Sequence, residues 1–292
     1  MKENSVKFLG LSEENSNYDK AKVAVVSVPY EATVSYMGGT GRGPAAIIEA
    51  STQVEHYDEI LEDEAFTIGV ATLAPLSVDG VAPENVHTVI KPAISQLLAD
   101  NKWPLVLGGE HSITPPVVSA FKDKFDDLCV VQFDAHADLR DSYEGSKMSH
   151  ACAMARVREI CPAVQIGIRN LCRVEAELAK KEKYPIIFAH EMQNDDTWMR
   201  RAIDAIDSLN VYITFDVDAF DGLYFPATGT PEPGGMRWYE TIKFLEMLFE
   251  HKNVVGMDIV ELAPSPGFHA CDFTLAKLAY KCIGFLKRRQ NG

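Results

Sequence analysis

The sequence has 292 residues, of which 47% are hydrophobic and 24% are charged. Acidic residues outnumber basic residues by 42 to 28, which gives a net charge of −14 at pH 7. This composition excludes a disordered, collagen-like or coiled-coil chain, and the length suffices for a core that needs no disulfide staples. A surface this negative repels phosphate backbones and anionic lipid, so we expect neither a nucleic acid nor a membrane as partner. A small cation is the better candidate.

The sequence also indicates where the protein works. No apolar run approaches the roughly 20 residues of a membrane span. The first 20 residues are polar and acidic, unlike a signal or transit peptide. The six cysteines form no C-x-x-C pair, which favours free thiols in a reducing compartment. We therefore expect a soluble, cytoplasmic protein.

Short apolar runs alternate with segments of helical periodicity along the chain. The predicted strands span residues 22–30, 103–109, 128–136, 164–170, 184–191, 210–218 and 253–262. The predicted helices span residues 83–100, 114–125, 149–160, 173–183, 196–208, 238–251 and 270–289. Near-continuous β-branched and aromatic runs are typical of strands buried on both faces of a parallel sheet. The alternation predicts one such sheet covered by helices in a single domain, 1–292, with a Gly/Pro-rich loop at 222–235.

Three of the predicted strands end in ionisable residues. The first strand end is followed by His111, and the other two carry Asp134, His136 and Asp138, and Asp216 and Asp218. In an extended chain, residues i, i+2 and i+4 point the same way, so we expect two rows of side chains. Open α/β sheets place their functional sites at the carboxyl ends of the strands. These residues are therefore candidates for one site.

Four carboxylates at the ends of buried strands must either be protonated or be compensated by a multivalent cation. Their burial would otherwise cost several kcal/mol per ion. A set of carboxylates and imidazoles without thiols suits Mn²⁺ or another borderline-hard divalent ion. Six ligands are too many for one ion with an open position, but they suit two ions bridged by carboxylates, as in two-metal hydrolases. Capping of strand ends could explain one Asp-x-Asp pair, but not two pairs together with the histidines.

The motifs in this order resemble those of the ureohydrolases, the arginase and agmatinase family, and agmatinases most. The resemblance rests on GGEHS (108–112), DAHAD (134–138), FDVDAFD (215–221) with ATGTPEPGG (227–235), and DIVELAP (258–264). An early segment, PYEATVSYMGGTGRGPAAI (29–47), also resembles the agmatinase N-terminal loop. The resemblance implies a three-layer α/β/α, arginase-like fold with a central, mostly parallel sheet. It also implies two Mn²⁺ per chain and a homo-oligomer, usually a trimer or hexamer.

The resemblance also implies roles for individual residues. One manganese would be held by His111, Asp134, Asp138 and Asp216, and the other by His136, Asp134, Asp216 and Asp218, so that Asp134 and Asp216 bridge. His150 matches a family histidine proposed to shuttle protons or steady the substrate, and Ala151 stands where many relatives have glycine. Glu261 matches the carboxylate that grips the guanidinium, which is consistent with paired N–H···O bonds between the two planar groups.

The implied reaction is hydrolysis of a guanidino group to urea and an amine. Water activated by two metal ions attacks the guanidinium carbon, and Asp138 is placed to carry its proton to the leaving amine. The loop at 139–149 resembles the agmatinase DLRDxYEG run, and the net charge favours a dicationic substrate. We therefore expect agmatine, converted to putrescine, with Asp141, Glu144 and Thr230 as further substrate contacts.

Several alternatives remain open. Guanidinobutyrate or guanidinopropionate could place its carboxylate on Arg140 or Lys147, and arginine or the longer cation N-aminopropylagmatine could also be the substrate. Two further hypotheses belong to other classes: a metal-binding or regulatory relative that has lost turnover, and a deacetylase-like amidohydrolase with a single Zn²⁺. Urea release would exclude the first, and two metals per chain would exclude the second.

Overall fold

The computed structural model of this chain describes residues 2–193, 195 and 197–291. Residues 1 and 292, the predicted ends of the domain, and residue 196, the predicted start of a helix, lie outside the described residues. No helix in the described part of the chain is long and apolar enough to cross a membrane.

The described residues form ten strands and ten α-helices. The strands are β1 (Val23–Val28), β2 (Tyr57–Asp58), β3 (Asp63–Glu64), β4 (Val70–Thr72), β5 (Trp103–Gly108), β6 (Leu128–Phe133), β7 (Ala163–Ile168), β8 (Ile186–Phe188), β9 (Asn210–Asp216) and β10 (Asn253–Val260). The α-helices are α1 (Glu13–Ser16), α2 (Gly43–Ser51), α3 (His87–Ala99), α4 (Thr114–Lys124), α5 (Ala153–Arg158), α6 (Arg173–Glu182), α7 (Ala189–Met192), α8 (Trp198–Asp204), α9 (Trp238–His251) and α10 (Ala270–Asn291). Short 3₁₀ helices lie at Phe8–Gly10, Thr40–Arg42, Ala65–Ile68, Pro83–Asn85, His111–Ile113, His150–Cys152 and Val217–Ala219.

Eight strands form one sheet in the order β4-β1-β5-β10-β9-β6-β7-β8, and β2 pairs with β3 in a separate hairpin. Every pairing within the large sheet is parallel. Parallel strands present their carboxyl ends at one edge of the sheet, where open α/β folds bind ligands. The predicted three-layer fold with a central parallel sheet is confirmed.

Both faces of the sheet are buried under helices. In β1, the side chains of Val23 and Val25 belong to the core shared with α2, α8, α9 and α10. Ala24 and Val26 belong to the opposite core, shared with α3, α4, α5 and α6. Because neither face meets water, the strands read as continuous apolar runs rather than alternating ones.

The structure adds elements that the sequence pattern did not predict. The edge strand β4 has three residues and the hairpin strands have two each, too few to show a period. Helix α2 begins at Gly43, where a Cβ atom would lie 2.7 Å from the carbonyl oxygen of Leu262. The glycine thus lets α2 approach the end of β10 closely. The strand predicted at 184–191 is shorter, because α7 begins at Ala189.

A buried ion pair joins the C-terminal helix α10 to the hairpin. Lys281 is fully buried, and its Nζ donates to Asp58 Oδ1 at 2.8 Å. The same carboxylate oxygen accepts the backbone N–H groups of Ile60 at 2.9 Å and Leu61 at 3.0 Å. The ammonium therefore compensates a carboxylate that also holds the hairpin turn.

We expect Lys281→Met to reduce the free energy of unfolding by about 3–5 kcal/mol, because it leaves the Asp58 charge buried without its partner. Urea denaturation followed by circular dichroism measures this loss. The matched control is Lys277→Met, whose Nζ lies 3.9 Å from Glu59, and we expect less than about 1 kcal/mol there. Adding Asp58→Asn to Lys281→Met should recover part of the loss. Equal effects of the two lysine variants would contradict this assignment.

Candidate active site

A cavity opens at the carboxyl ends of β6, β7, β9 and β10, where the sheet topology predicts a site. It encloses about 170 Å³. Its ionisable lining residues are His136, Asp138, Arg140, Tyr36, Tyr143, His150, Glu175, Asp216, Asp218 and Glu261. Val34, Ser35, Met37, Ala137, Ala151, Asn170, Leu171, Thr228, Gly229 and Thr230 complete the lining. The cavity thus brings together most of the residues that the motifs singled out.

Turns, rather than extended strands, present the acidic residues to this cavity. Strand β6 ends at Phe133, and Asp138 has a φ of +53°, in the left-handed region. Strand β9 ends at Asp216 and continues as the 3₁₀ helix Val217–Ala219, whose first turn is capped when Asp216 Oδ1 accepts the N–H of Asp218 at 2.9 Å. The expectation of two straight rows is therefore wrong. The side chains converge because the backbone curls around them.

One group of ligating atoms surrounds the buried His111. Its Nδ1 lies 3.1 Å from Asp138 Oδ2, 3.2 Å from Asp134 Oδ2 and 3.4 Å from Asp216 Oδ2. This nitrogen has no hydrogen-bond partner among the described residues, although it is fully buried. His111, Asp134 and Asp216 are spaced so that they could hold one metal ion.

A second group lies beside the first and shares Asp134 with it. His136 Nδ1 lies 2.8 Å from Asp218 Oδ2 and 3.7 Å from Asp134 Oδ1. Asp134, His136 and Asp218 could hold a second metal ion. Asp134 Oδ1 also accepts the backbone N–H of His136 at 2.6 Å, which fixes the carboxylate between the two groups.

The electrostatics of these carboxylates favour a bound cation. Burial, together with the neighbouring carboxylates, raises the pKa of Asp216 well above its usual range and also raises the pKa values of Asp138 and Asp218. Burial acts in the same direction on Asp134, but the adjacent imidazoles of His111 and His136 outweigh it and hold the pKa of Asp134 below its usual range. Hard oxygen donors and two imidazoles crowded in this way fit divalent ions.

Hydrogen bonds behind His111 set which ring nitrogen faces the carboxylates. His111 Nε2 lies 2.8 Å from Thr214 Oγ1, which lies 3.2 Å from Thr114 Oγ1. Thr114 and Tyr212 both donate to Asp258 Oδ2, at 2.9 and 2.8 Å. Because Asp258 Oδ2 accepts, the Thr114 hydroxyl uses its single hydrogen on that oxygen. The Thr214 hydroxyl then donates to Thr114 Oγ1, and Nε2 of His111 is left to donate to Thr214 Oγ1. The Nδ1 lone pair therefore faces the acidic cluster, as a metal ligand requires.

Glu261 lies at the edge of the cavity in an uncommon backbone conformation. It follows β10 directly, and its φ is +68°. Its Oε1 accepts the N–H of His111 at 2.6 Å. Burial, with the adjacent charge of Glu110, raises the pKa of Glu261 to about 8. The strained backbone thus aims a desolvated carboxyl group into the cavity.

Glu110 has a structural role that the sequence did not reveal. Its buried carboxylate accepts the N–H groups of Ala32 at 2.7 Å and Thr33 at 2.6 Å, and the hydroxyls of Thr33 at 2.8 Å and Ser112 at 2.5 Å. Thr33 Oγ1 in turn accepts the N–H of His150 at 3.0 Å. Glu110 therefore holds the loop that forms one cavity wall and, through Thr33, the position of His150. The sequence feature that could have pointed to Glu110 is its position next to His111 in the GGEHS motif.

The remaining predicted contacts divide into two groups. His150 and Thr230 line the cavity. Asp141 and Glu144 are absent from the described lining: the exposed Asp141 carboxylate is 3.0 Å from Arg156 and 3.1 Å from Lys147, and Glu144 is exposed in a turn. Asp141 is paired with these two cations, and the structure does not bring these two acids to the described cavity lining. The acid that does line this wall is Glu175, which accepts the N–H groups of Leu139 at 2.9 Å and Cys172 at 2.7 Å.

Comparison with known proteins agrees with this site. The sequence model of the Arginase family matches residues 21–284. The chain is similar to the N(1)-aminopropylagmatine ureohydrolase of Synechocystis sp., with 42% identity over 94% of this chain and 92% of the relative. It is also similar to the agmatinase of Pyrococcus horikoshii, with 35% identity over 92% and 93% of the two chains. The crystal structure of the agmatine ureohydrolase of Thermoplasma volcanium superposes with a TM-score of 0.89 at 30% identity, covering 99% and 96% of the two chains.

The chain belongs to the arginase family. It is a ureohydrolase of that family, an amidinohydrolase that acts on guanidino C–N bonds. The resemblance inferred from the motifs is confirmed.

Because Asp134 is common to both groups of ligating atoms, we expect Asp134→Asn to weaken the binding of both metal ions. The loss should exceed the ~10–100-fold typical of residues outside the ligand set. Metal analysis after equilibrium dialysis against Mn²⁺ measures it, with the exposed Asp79→Asn as control. If Asp134→Asn kept two ions at unaltered affinity, the shared position of Asp134 would be wrong.

Proposed function

We propose that this ureohydrolase requires two Mn²⁺ ions and hydrolyses an agmatine-type cation to urea and a polyamine. The observation that carries the proposal is the pair of His/Asp groups beneath an acidic cavity that Glu261 also lines. N(1)-aminopropylagmatine is the first candidate substrate, because the relative of that activity at 42% identity spans nearly the whole chain. Agmatine, the substrate expected from the motifs, is the second candidate, supported by the agmatinase relatives.

The six predicted ligands would hold the two ions: His111, Asp134, Asp138 and Asp216 for one, and His136, Asp134, Asp216 and Asp218 for the other. The oxygen and imidazole donors suit Mn²⁺. A pair of such ions supplies an ionised water near neutral pH when it is bound there.

The other residues act on the substrate. Glu261 accepts N–H bonds from the planar guanidinium and so fixes its plane within the cavity. The Asp138 carboxylate faces the same space, takes up the proton of the attacking water and passes it to the nitrogen of the leaving amine. His150, held by Thr33, steadies the substrate and is the second group able to move a proton. Thr230 contributes a hydroxyl to the wall.

We expect Glu261→Gln to lower kcat/KM for every guanidino substrate by orders of magnitude, since removing one partner of a desolvated charge pair costs about 2–5 kcal/mol. Both metal ions should stay bound, because Glu261 is outside the ligand set. Urea release and metal content are the two measurements. Glu144→Gln, at an exposed glutamate outside the described cavity lining, is the control and should leave both values unchanged. A variant that still turned over at the normal rate would remove Glu261 from the reaction.

The charges around the cavity favour a cationic tail. Of the acids in the described lining, Asp138, Asp216 and Asp218 belong to the proposed ligand set and Glu261 to the guanidinium, which leaves Glu175 for the tail. Arg140 is its one arginine or lysine, with Nε 4.0 Å from Glu175 Oε2 and the guanidinium 5.1 Å from the centroid of the Tyr143 ring. Since Arg140 is already engaged by an acid and an aromatic face, a substrate carboxylate would have to compete for it.

We expect kcat/KM to fall in the order N(1)-aminopropylagmatine, agmatine, then 4-guanidinobutyrate, with at least about a tenfold step, or ~1.4 kcal/mol, before the anionic compound. Urea release from each substrate, with arginine included, gives the ranking. Asp141→Asn combined with Glu144→Gln should leave the ranking unaltered, because both acids lie outside the cavity. If 4-guanidinobutyrate were the best substrate, Arg140→Gln would identify its carboxylate partner and the cationic substrate would be excluded.

We also propose that residues 1–292 work as one ureohydrolase domain, that the chain assembles as a homotrimer or homohexamer, and that it acts in the cytoplasm on a small guanidino cation. These proposals rest on the family resemblance and on the acidic composition. Light scattering on the purified chain measures the mass of the assembly.

A further inference from the structure

A row of buried polar residues crosses the sheet directly beneath the acidic cluster. Asp258, Thr214, Gln132 and Gln165 are register partners across β10, β9, β6 and β7. All four are fully buried. Gln132 precedes Asp134 by two residues, near the end of β6. Uncharged amides in the middle of a parallel sheet are costly unless every donor and acceptor is bonded.

The two glutamines form a continuous chain of hydrogen bonds that ends at Asp134. Gln132 Nε2 donates to Asp134 Oδ2 at 2.6 Å, and Gln165 Nε2 donates to Gln132 Oε1 at 2.5 Å. At the far end, Arg158 Nη2 donates to Gln165 Oε1 at 3.0 Å. The second hydrogens of the two amides are directed to the carbonyls of His136, at 3.4 Å, and Ala137, at 2.8 Å.

Arg158 dictates the direction of this chain. An amide can turn either its oxygen or its nitrogen toward a neighbour, but a guanidinium has donors only. Gln165 must therefore offer its oxygen to Arg158, which leaves its nitrogen to face Gln132. Gln132 must then offer its own oxygen to Gln165 and its nitrogen to Asp134. An N–H group, and never a carbonyl, reaches the carboxylate shared by the two ligand groups.

Packing holds the arginine in place. The Arg158 guanidinium lies over the Tyr184 ring, 3.7 Å from its centroid. Burial lowers the pKa of Arg158 to about 10, which leaves the group charged near neutral pH. A charged group stacked on an aromatic face is a fixed donor rather than a mobile surface side chain.

We propose that Arg158, Gln165 and Gln132 are positioning residues whose hydrogen-bond chain fixes the orientation of Asp134 and thereby raises the affinity of the site for divalent ions. The inference rests on the proposed metal site but not on the identity of the guanidino substrate. None of the three residues needs to touch substrate or metal for this role.

The test compares Mn²⁺ binding by calorimetry to the metal-free full-length protein and to its variants. Arg158→Met should weaken Mn²⁺ binding about 10-fold or more, in the range typical of residues that orient metal ligands. Arg158→Lys keeps an obligate donor and should recover part of the affinity. Arg173→Met, at an exposed arginine paired with Glu177, is the matched control and should bind Mn²⁺ normally.

A double-mutant cycle separates the effect of the hydrogen-bond chain from a general loss of packing. Gln132→Met should weaken Mn²⁺ binding by itself, and adding Arg158→Met to it should have no further effect on affinity, because the link between them is already broken. Unfolding of the metal-free variants in urea, followed in parallel, measures the stability that each substitution costs and shows that every variant is folded. Additive effects on Mn²⁺ affinity, or an Arg158→Met variant with normal affinity, would overturn the proposed role of the hydrogen-bond chain. Wild-type protein that binds no divalent ion would overturn the proposed function as well, so the two failures are distinguishable.

Discussion

The concentration of negative charge at the carboxyl ends of β6 and β9 is the constraint on which the rest of the site depends. Asp134, Asp138, Asp216 and Asp218 converge with two imidazoles in a buried space, and burial raises the pKa of three of these acids. Such a group is unfavourable without compensating charge, since carboxylates lose hydration and repel one another. Two divalent ions satisfy that requirement and explain why the acids are arranged around His111 and His136. Outside this ligand set, the described lining still carries the acids Glu175 and Glu261, which favour a cationic guanidine over an anionic one.

The sheet supports this charge with a layer of neutral polar groups directly beneath it. Thr214 and Asp258 fix the proton on His111 from one side, while Gln132 and Gln165 direct an N–H group to Asp134 from the other. Each of these two sets of hydrogen bonds begins at a group whose hydrogen-bonding direction is fixed. For His111 it is an acceptor oxygen of Asp258, and for Asp134 it is the donor guanidinium of Arg158. Hydrogen bonds in a buried polar network favour one arrangement of its side chains. These bonds therefore orient His111 and Asp134 at the base of the site.

The walls of the cavity come from loops, whereas the proposed metal ligands lie at its base. Glu110 anchors the loop after β1 and, through Thr33, the position of His150. Glu175 anchors the loop after β6 by accepting the N–H of Leu139. Both carboxylates are buried and bind backbone N–H groups, so they are part of the scaffold. Tyr36 and Arg140 line the cavity from the same two loops and are exposed and half-buried, respectively, so substitutions there change the cavity wall without disturbing the base of the site.

The sequence alone determined the parallel sheet, its helical layers and the residue types of the acidic cluster, because apolar runs and strand-end motifs are local patterns. It could not determine how the chain turns after each strand. The backbone turns at Asp138, in the left-handed region, so the acids predicted in a row form a cluster instead. Asp141 pairs with the cations Arg156 and Lys147 outside the cavity. Nor could it show that Gln132 and Gln165 are register partners, since strands β6 and β7 meet only when the sheet forms. Contacts between residues distant in sequence depend on register and loop geometry, and only the tertiary structure fixes both.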